Sequence, residues 1–284
     1  MNGQAVLFCI VVALVLQLVG VIVGIRCSRR DNYSARHVPR VLVLVISSES
    51  NKNISYGEYD RWEIEKRYWN NRINRYHDMC TNIDWKLISC NSSDLSENQL
   101  SLDCVESYIP GILQKTILGI SKNLGTYDYF VRTNLSTCID CRRLMNMITA
   151  VDKGGIMYTG GRRMTHNGIT YISGTSIMLN SKAASLLVKK YTDNKRLYDD
   201  LQEFDDVVIG EILKDKSSLS AEYNMLDADP QKSTAQNIED FKNLATPFFR
   251  SKTMLYDKNS TNASIVELFE SFNEYLTQDV DNGK

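Results

Sequence analysis

The sequence predicts a mostly parallel, Rossmann-like α/β domain with helices flanking its sheet, preceded by one N-terminal transmembrane helix. Three observations carry this. Val41 to Ile46 is an unbroken aliphatic run closed by Ser47 and Ser48, the pattern of a strand buried on both faces of a parallel sheet. Strand-like and helix-like segments then alternate along the chain, which favours parallel strands joined by helical crossovers. Residues 5–25 carry no charge, and these 21 residues at ~1.5 Å each suffice to cross a ~30 Å hydrocarbon core.

The elements follow in order. Residues 1–4 are a short tail and 5–25 the anchor. No basic side chain precedes that run, and it is too long for a cleaved leader. Residues 26–39 form a polar stem ending at Pro39, and the globular domain occupies 40–284. After the first strand, Glu58 to Tyr76 has helical spacing without Pro or Gly. Residues 84–89 (DWKLIS) give a second strand, and Ser107 to Leu124 a helix with Pro110 near its start. Residues 127–132 (YDYFVR) form the third strand, followed by a helix from Cys138 to Val151. Residues 154–161 (GGIMYTGG) are a strand between glycines. Residues 169–180 (ITYISGTSIMLN) are strand, turn and strand about Gly174, leading into a helix from Ser181 to Tyr191 with Ser181 as its cap.

With 43% hydrophobic and 24% charged residues the chain is a folded globular protein, and it carries no tandem repeat. A net charge of −1 argues against a nucleic-acid surface. Topology signals conflict. Arg26, Arg29, Arg30, Arg36 and Arg40 all follow the anchor, which favours a cytosolic domain. Six Asn-x-Ser/Thr sequons, at Asn32, Asn53, Asn91, Asn134, Asn259 and Asn262, suit a lumenal domain of the Golgi or ER. Of the seven cysteines, Cys9 lies in the anchor and Cys27 beside it. Cys80, Cys90 and Cys104 can supply one disulfide and a spare thiol. Cys138 and Cys141 form a C-x-x-C whose expected role is core packing, because two ligands alone make no zinc site.

Two stretches carry candidate chemistry. In residues 203–213 (EFDDVVIGEIL), Asp205 and Asp206 stand at a helix start. They are either solvated partners of the helix dipole or one of them is a base for an acceptor hydroxyl. Ser173-Gly174-Thr175 is either a structural turn or a place where a flat, hydroxyl-rich ligand meets the backbone. Arg162 and Arg163 are either solvated charges or cations for a leaving phosphate. His166 reads as a surface residue.

Taken in order, RWEIEKRYW (61–69), DCVESYIPGILQKT (103–116), the segment from Gly160 to Leu187 and FDDVVIG (204–210) resemble motifs of the β-1,3-galactosyltransferase and Fringe family. The resemblance covers about residues 40 to 215. It implies a GT-A-like fold and an inverting hexosyltransferase that moves sugar from a UDP-sugar to a glycan or glycoprotein acceptor. It also implies Asp206 as general base with Asp205 in support, and a nucleotide-sugar cleft of Ser47, Arg61, Lys115, Asn134 and Ser136. Where the family writes three aspartates to hold Mn²⁺, this chain has Asn134, Leu135 and Ser136, poor ligands for a hard dication. Two outcomes stay open. Either the metal is dispensable, with Arg132, Arg162 or Lys115 holding the diphosphate, or the chain is a non-catalytic, membrane-anchored binder of sugars or nucleotide-sugars.

Overall fold

A computed structural model describes residues 38–47, 66–69, 80–91, 97–214, 225–251 and 262–281. Most of the expected helix at 58–76 lies outside them, as do Arg61 and the apolar run 5–25; residues 66–69 are helical. Among the described residues no helix is long and apolar enough to cross a membrane.

The central sheet has six strands: β1 (Val41–Ile46), β2 (Ile83–Cys90), β3 (Gln99–Leu102), β4 (Tyr129–Asn134), β6 (Tyr158–Gly160) and β9 (Ile177–Asn180). Their order is β3-β2-β1-β4-β9-β6. β3, β2, β1 and β4 run parallel, while β9 is antiparallel to both β4 and β6. The sheet is thus mostly parallel, as the aliphatic run predicts, and β1 is wholly interior. β5 (Thr137–Ile139), β10 (Leu226–Asp227) and β11 (Phe248–Arg250) form a small second sheet. β7 (Arg163–His166) and β8 (Ile169–Ile172) form a hairpin whose first strand is exposed, while Tyr171 and Ile172 of the second are buried. The strand, turn and strand about Gly174 is therefore real, but its arms belong to different sheets.

Alternation along β1 sorts the core into two layers. Val41, Val43 and Val45 face one cluster with α2 (Cys141–Val151), α6 (Thr234–Lys242) and α7 (Asn262–Asp281). Leu42 and Leu44 face the other, with α1 (Gly111–Ser121), α3 (Ser181–Asp193) and α5 (Asp205–Leu213). A short helix, α4 (Lys195–Asp199), precedes α5.

Several boundaries depart from the sequence reading for local reasons. The helix expected from Cys138 begins at Cys141, because Asp140 caps it by accepting from the Arg142 and Arg143 amides at 3.0 and 3.1 Å. α3 is capped by Asn180, which accepts from the Ala183 amide, and not by Ser181. The cysteines make two disulfides where one was expected. Cys80 pairs with Cys141 and Cys90 with Cys104, so the C-x-x-C is split between a buried Cys138 on β5 and a crosslinked Cys141.

Arg143 fastens α2 to the far helices. Its guanidinium donates to the carbonyls of Phe241 (2.9 Å), Leu244 (2.6 Å) and Lys242 (3.2 Å), the orphan acceptors at the end of α6, and to the Tyr275 hydroxyl at 2.9 Å. It also lies 4.7 Å over the Phe241 ring. Arg143→Ala should cost roughly 1.5–3 kcal/mol in urea unfolding. Arg143→Lys should recover little of it, because an ammonium cannot serve the same fan of acceptors.

Tyrosines set an alkaline limit. Burial, then a hydrogen bond to Asp84, pushes Tyr127 up to about 12, and burial raises Tyr158 and Tyr191 as well. A raised tyrosine pKa means that the folded state keeps protons the unfolded chain releases near pH ~10. Stability from these groups is complete below about pH 10 and is lost as pH rises towards the folded value. Melting temperature should therefore fall steadily above about pH 10, with the 295 nm phenolate absorbance lagging that of the urea-unfolded protein.

Candidate functional site

In an open α/β sheet, ligands gather beyond the carboxyl ends of the strands where the strand order reverses. Here the reversal lies between β1 and β4. The chain leaves β1 at Ser47 and β4 at Asn134, the two residues placed there by the sequence reading.

Beneath that point sits Arg132, 3% exposed on β4. It touches three parts of the site. Its Nη2 lies 2.8 Å from Asp205 Oδ2, and its Nη1 donates to Asn134 Oδ1 at 2.9 Å. Its guanidinium also fills the space where a side chain on Gly174 would go, since a Cβ there would come within 2.4 Å of Nη1. Gly174 does not need a left-handed backbone; it is small because an arginine lies against it. The contact with Asp205 is a charge contact without hydrogen-bond alignment. Neither Asp205 Oδ2 nor Arg132 Nε has a hydrogen-bond partner among the described residues. Burial pushes the Asp205 carboxyl upwards against the pull of Arg132, and the neighbouring Asp206 adds to the rise.

Asp206 behaves differently. It is half-buried, with Oδ2 accepting from the Gly174 amide at 2.9 Å and Oδ1 from the Val207 amide at 2.9 Å. Side chains one residue apart on a helix point to different sides, so α5 sends Asp205 onto Arg132 and Asp206 onto the Gly174 amide. Ser173 and Thr175 are buried and joined at 3.1 Å through their hydroxyls, and Thr133 on β4 donates to the Thr175 carbonyl at 2.7 Å. The turn thus holds Arg132 and Asp206 in place.

Lys115, 1% exposed on α1, donates to the Ser47 carbonyl at 2.6 Å and is paired with Glu106. Burial lowers its pKa, Glu106 opposes the shift and the charge of Arg132 reinforces it. Glu106 in turn accepts from the Cys90 amide at 3.1 Å, beside the Cys90–Cys104 disulfide. The sequence reading missed Glu106, although it lies in the motif that supplied Lys115. Ser47 is buried, with its Oγ lacking a hydrogen-bond partner among the described residues.

The Leu135–Ser136 turn after β4 is pinned from behind. Trp69 Nε1 donates to the Leu135 carbonyl at 2.6 Å, and the Ser251 amide donates to the Ser136 carbonyl at 2.8 Å. This turn does not suit Mn²⁺. An arginine only donates, so Asn134 must turn its oxygen to Arg132 and its amide NH₂ elsewhere. Leu135 is apolar, and a fixed guanidinium stands where a cation would be drawn. Among the described residues no three His, Cys, Asp or Glu side chains cluster as metal ligands. Arg162 is tied to Asp227 at 2.5 Å, while its carbonyl accepts from the Ser173 amide at 2.8 Å, and His166 is exposed, 3.6 Å from Glu203.

No protein-family model matches the chain, and no curated protein matches it. Among solved structures it is similar to a glycosyltransferase involved in glycosylation of the major capsid of PBCV-1, at 11% identity over 82% of this chain and 100% of that one, with a TM-score of 0.46. It is also similar to the glycosyltransferase GlyE of Streptococcus pneumoniae TIGR4, at 12% identity over 86% of this chain and 64% of that one, TM-score 0.43. A third is an active-site mutant of LgtC, at 12% identity over 82% and 96%, TM-score 0.44. Likeness at this level leaves the function to be argued from the site's own residues.

The Arg132–Asp205 pair gives a direct test. Arg132→Met strands a buried carboxylate and should cost about 3–5 kcal/mol in urea unfolding. Arg132→Met with Asp205→Leu should recover most of that loss, because an apolar pair of similar volume carries no uncompensated charge.

Proposed function

We propose that the chain is an inverting glycosyltransferase that moves a hexose-type sugar from a UDP-sugar to a hydroxyl of a glycan or glycoprotein, without a divalent metal at the β4–β5 turn. One observation carries the reading. Arg132 touches Asn134, Gly174 and Asp205 at once, so the strand end facing a nucleotide and the carboxylates facing an acceptor are built as one unit. In the transfer step the acceptor oxygen gives its proton to Asp206 while attacking the anomeric carbon. The bond from that carbon to the phosphate oxygen breaks, and UDP leaves with the electron pair. Attack from the face opposite the leaving group inverts the configuration.

Lys115 and Arg132 act by position, since both are buried and already matched by carboxylates. Asn134 offers its NH₂, and Ser47 an unpartnered hydroxyl, to the nucleotide-sugar. Of the cations offered for the diphosphate, Arg162 is the more exposed, paired with Asp227; Arg61 lies outside the described residues. The two disulfides support an oxidising lumen of the Golgi or ER over the cytosol, with residues 5–25 as the membrane anchor.

The alternative is a sugar- or nucleotide-sugar-binding relative without turnover, favoured by the absence of carboxylates at Asn134-Leu135-Ser136. Full-length protein offered a panel of UDP-sugars and acceptors should release UDP, and EDTA should change the rate little. Asp206→Asn should lower transfer by ~10²–10⁴-fold while UDP affinity, read by calorimetry, stays nearly constant. Undiminished transfer would remove Asp206 from the mechanism; wild-type protein that binds UDP-sugars without turning any over would make the chain a binder.

A further inference from the structure

Of the six sequons, three have their asparagine among the described residues, and the fold treats these differently. Asn134 is half-buried at the end of β4, with its Oδ1 taken by Arg132 and its neighbours Leu135 and Ser136 buried. Asn262 is the first residue of α7. Asn91, in Asn91-Ser92-Ser93, is exposed in the turn that leaves β2.

That turn is fixed from several sides. Asn91 has φ of +47°, the left-handed region that asparagine enters more readily than most L-residues. Its backbone amide donates to the Leu102 carbonyl at 2.8 Å, and its Nδ2 donates to the Cys104 carbonyl at 2.7 Å. The preceding residue, Cys90, is crosslinked to Cys104. A sequon is read on the extended chain before folding, so the fold decides which asparagine can carry a bulky glycan on the finished surface. Asn91 meets that requirement. Its Nδ2 bears two hydrogens; the Cys104 carbonyl engages one, and a sugar can replace the other without breaking the turn. At Asn134 a glycan would fill the end of β4 where Arg132 and the buried Leu135–Ser136 turn meet.

We infer that Asn91 carries an N-linked oligosaccharide and that Asn134 does not. The bond formed joins Asn91 Nδ2 to C1 of the first sugar, and Nδ2 gives up one proton. The bond broken joins that C1 to the diphosphate of a lipid-linked oligosaccharide, and the lipid diphosphate leaves with the electron pair. The inference rests on the lumenal placement proposed above and is independent of any transferase activity of this chain. Leu102, which accepts from the Asn91 amide, is the last residue of β3, and β3 is an edge of the central sheet. A glycan there adds bulk beside a strand edge, where it hinders pairing with a second chain.

Full-length protein made in a eukaryotic secretory host should lose mass on digestion with peptide N-glycosidase F. Peptide mapping after digestion in heavy-oxygen water should find the side-chain amide of Asn91 converted to a labelled carboxyl, and that of Asn134 unchanged. Ser93→Ala should abolish the label at Asn91 while leaving the melting temperature of the deglycosylated protein unchanged, because Asn91 keeps its turn and its bond to Cys104. Asn91→Gln should lose the same glycan but melt lower, since glutamine is less at ease with a left-handed backbone. Wild-type protein with no label at Asn91, or with a label at Asn134, overturns the inference. Protease protection in sealed microsomes separates its failure from that of the lumenal placement. A protected domain bare at Asn91 overturns the glycan site alone, whereas a digested, glycan-free domain overturns the site and the placement together.

Discussion

The buried Arg132–Asp205 contact is the constraint on which the rest of the site depends. A guanidinium inside a sheet must be matched, and it is matched here by a carboxylate 73 positions away in sequence. That requirement brings the start of α5 to the end of β4. It needs Gly174 small and turns the Asn134 oxygen inward. It also separates two adjacent aspartates: Asp205 is spent on structure, and Asp206 is left half-buried with its orientation fixed by the Gly174 amide. Such a pair adds little net stability, but removing one partner strands the other as an uncompensated buried charge.

A second line of contacts fixes the other half of the cleft. The Cys90–Cys104 disulfide ties the end of β2 to the loop after β3, where Glu106 accepts from the Cys90 amide. Glu106 matches Lys115, and Lys115 holds the Ser47 carbonyl at the end of β1. Both buried cations thus serve as struts below the site. These internal pairs, Lys115 with Glu106 and Arg132 with Asp205, set the floor of the site.

The parts of this arrangement that were legible in the sequence are those with a periodic or compositional signature. Six aliphatics in a row placed β1 to the residue, and Pro110 marked the start of α1. β5, β10 and β11 were not legible, because two or three residues cannot show a period of two. The disulfides were misjudged because Cys80 and Cys141 stand 61 residues apart, and spacing says nothing about a partner brought by the fold. Arg132 was read as a cation offered to a ligand. On the sequence a charge ending an apolar strand looks solvent-bound; only the position of α5 shows it matched from within. Gly174 was given the generic reason of backbone freedom, whereas in the fold it is the Arg132 guanidinium that leaves no room for a side chain.

The two-layered core has a consequence for synthesis. The face of β1 bearing Val41, Val43 and Val45 packs in one cluster with Phe269 and Phe272 of α7. On a ribosome adding 5–20 residues per second, that helix follows β1 by roughly ten to fifty seconds. The opposite face is covered sooner, by α1, α3 and α5. The nascent chain therefore passes through an interval in which one side of the parallel sheet has all its helices and the other has only α2, without α6 and α7. A holding chaperone would find its target there, and the interval closes only when residues 262–281 emerge.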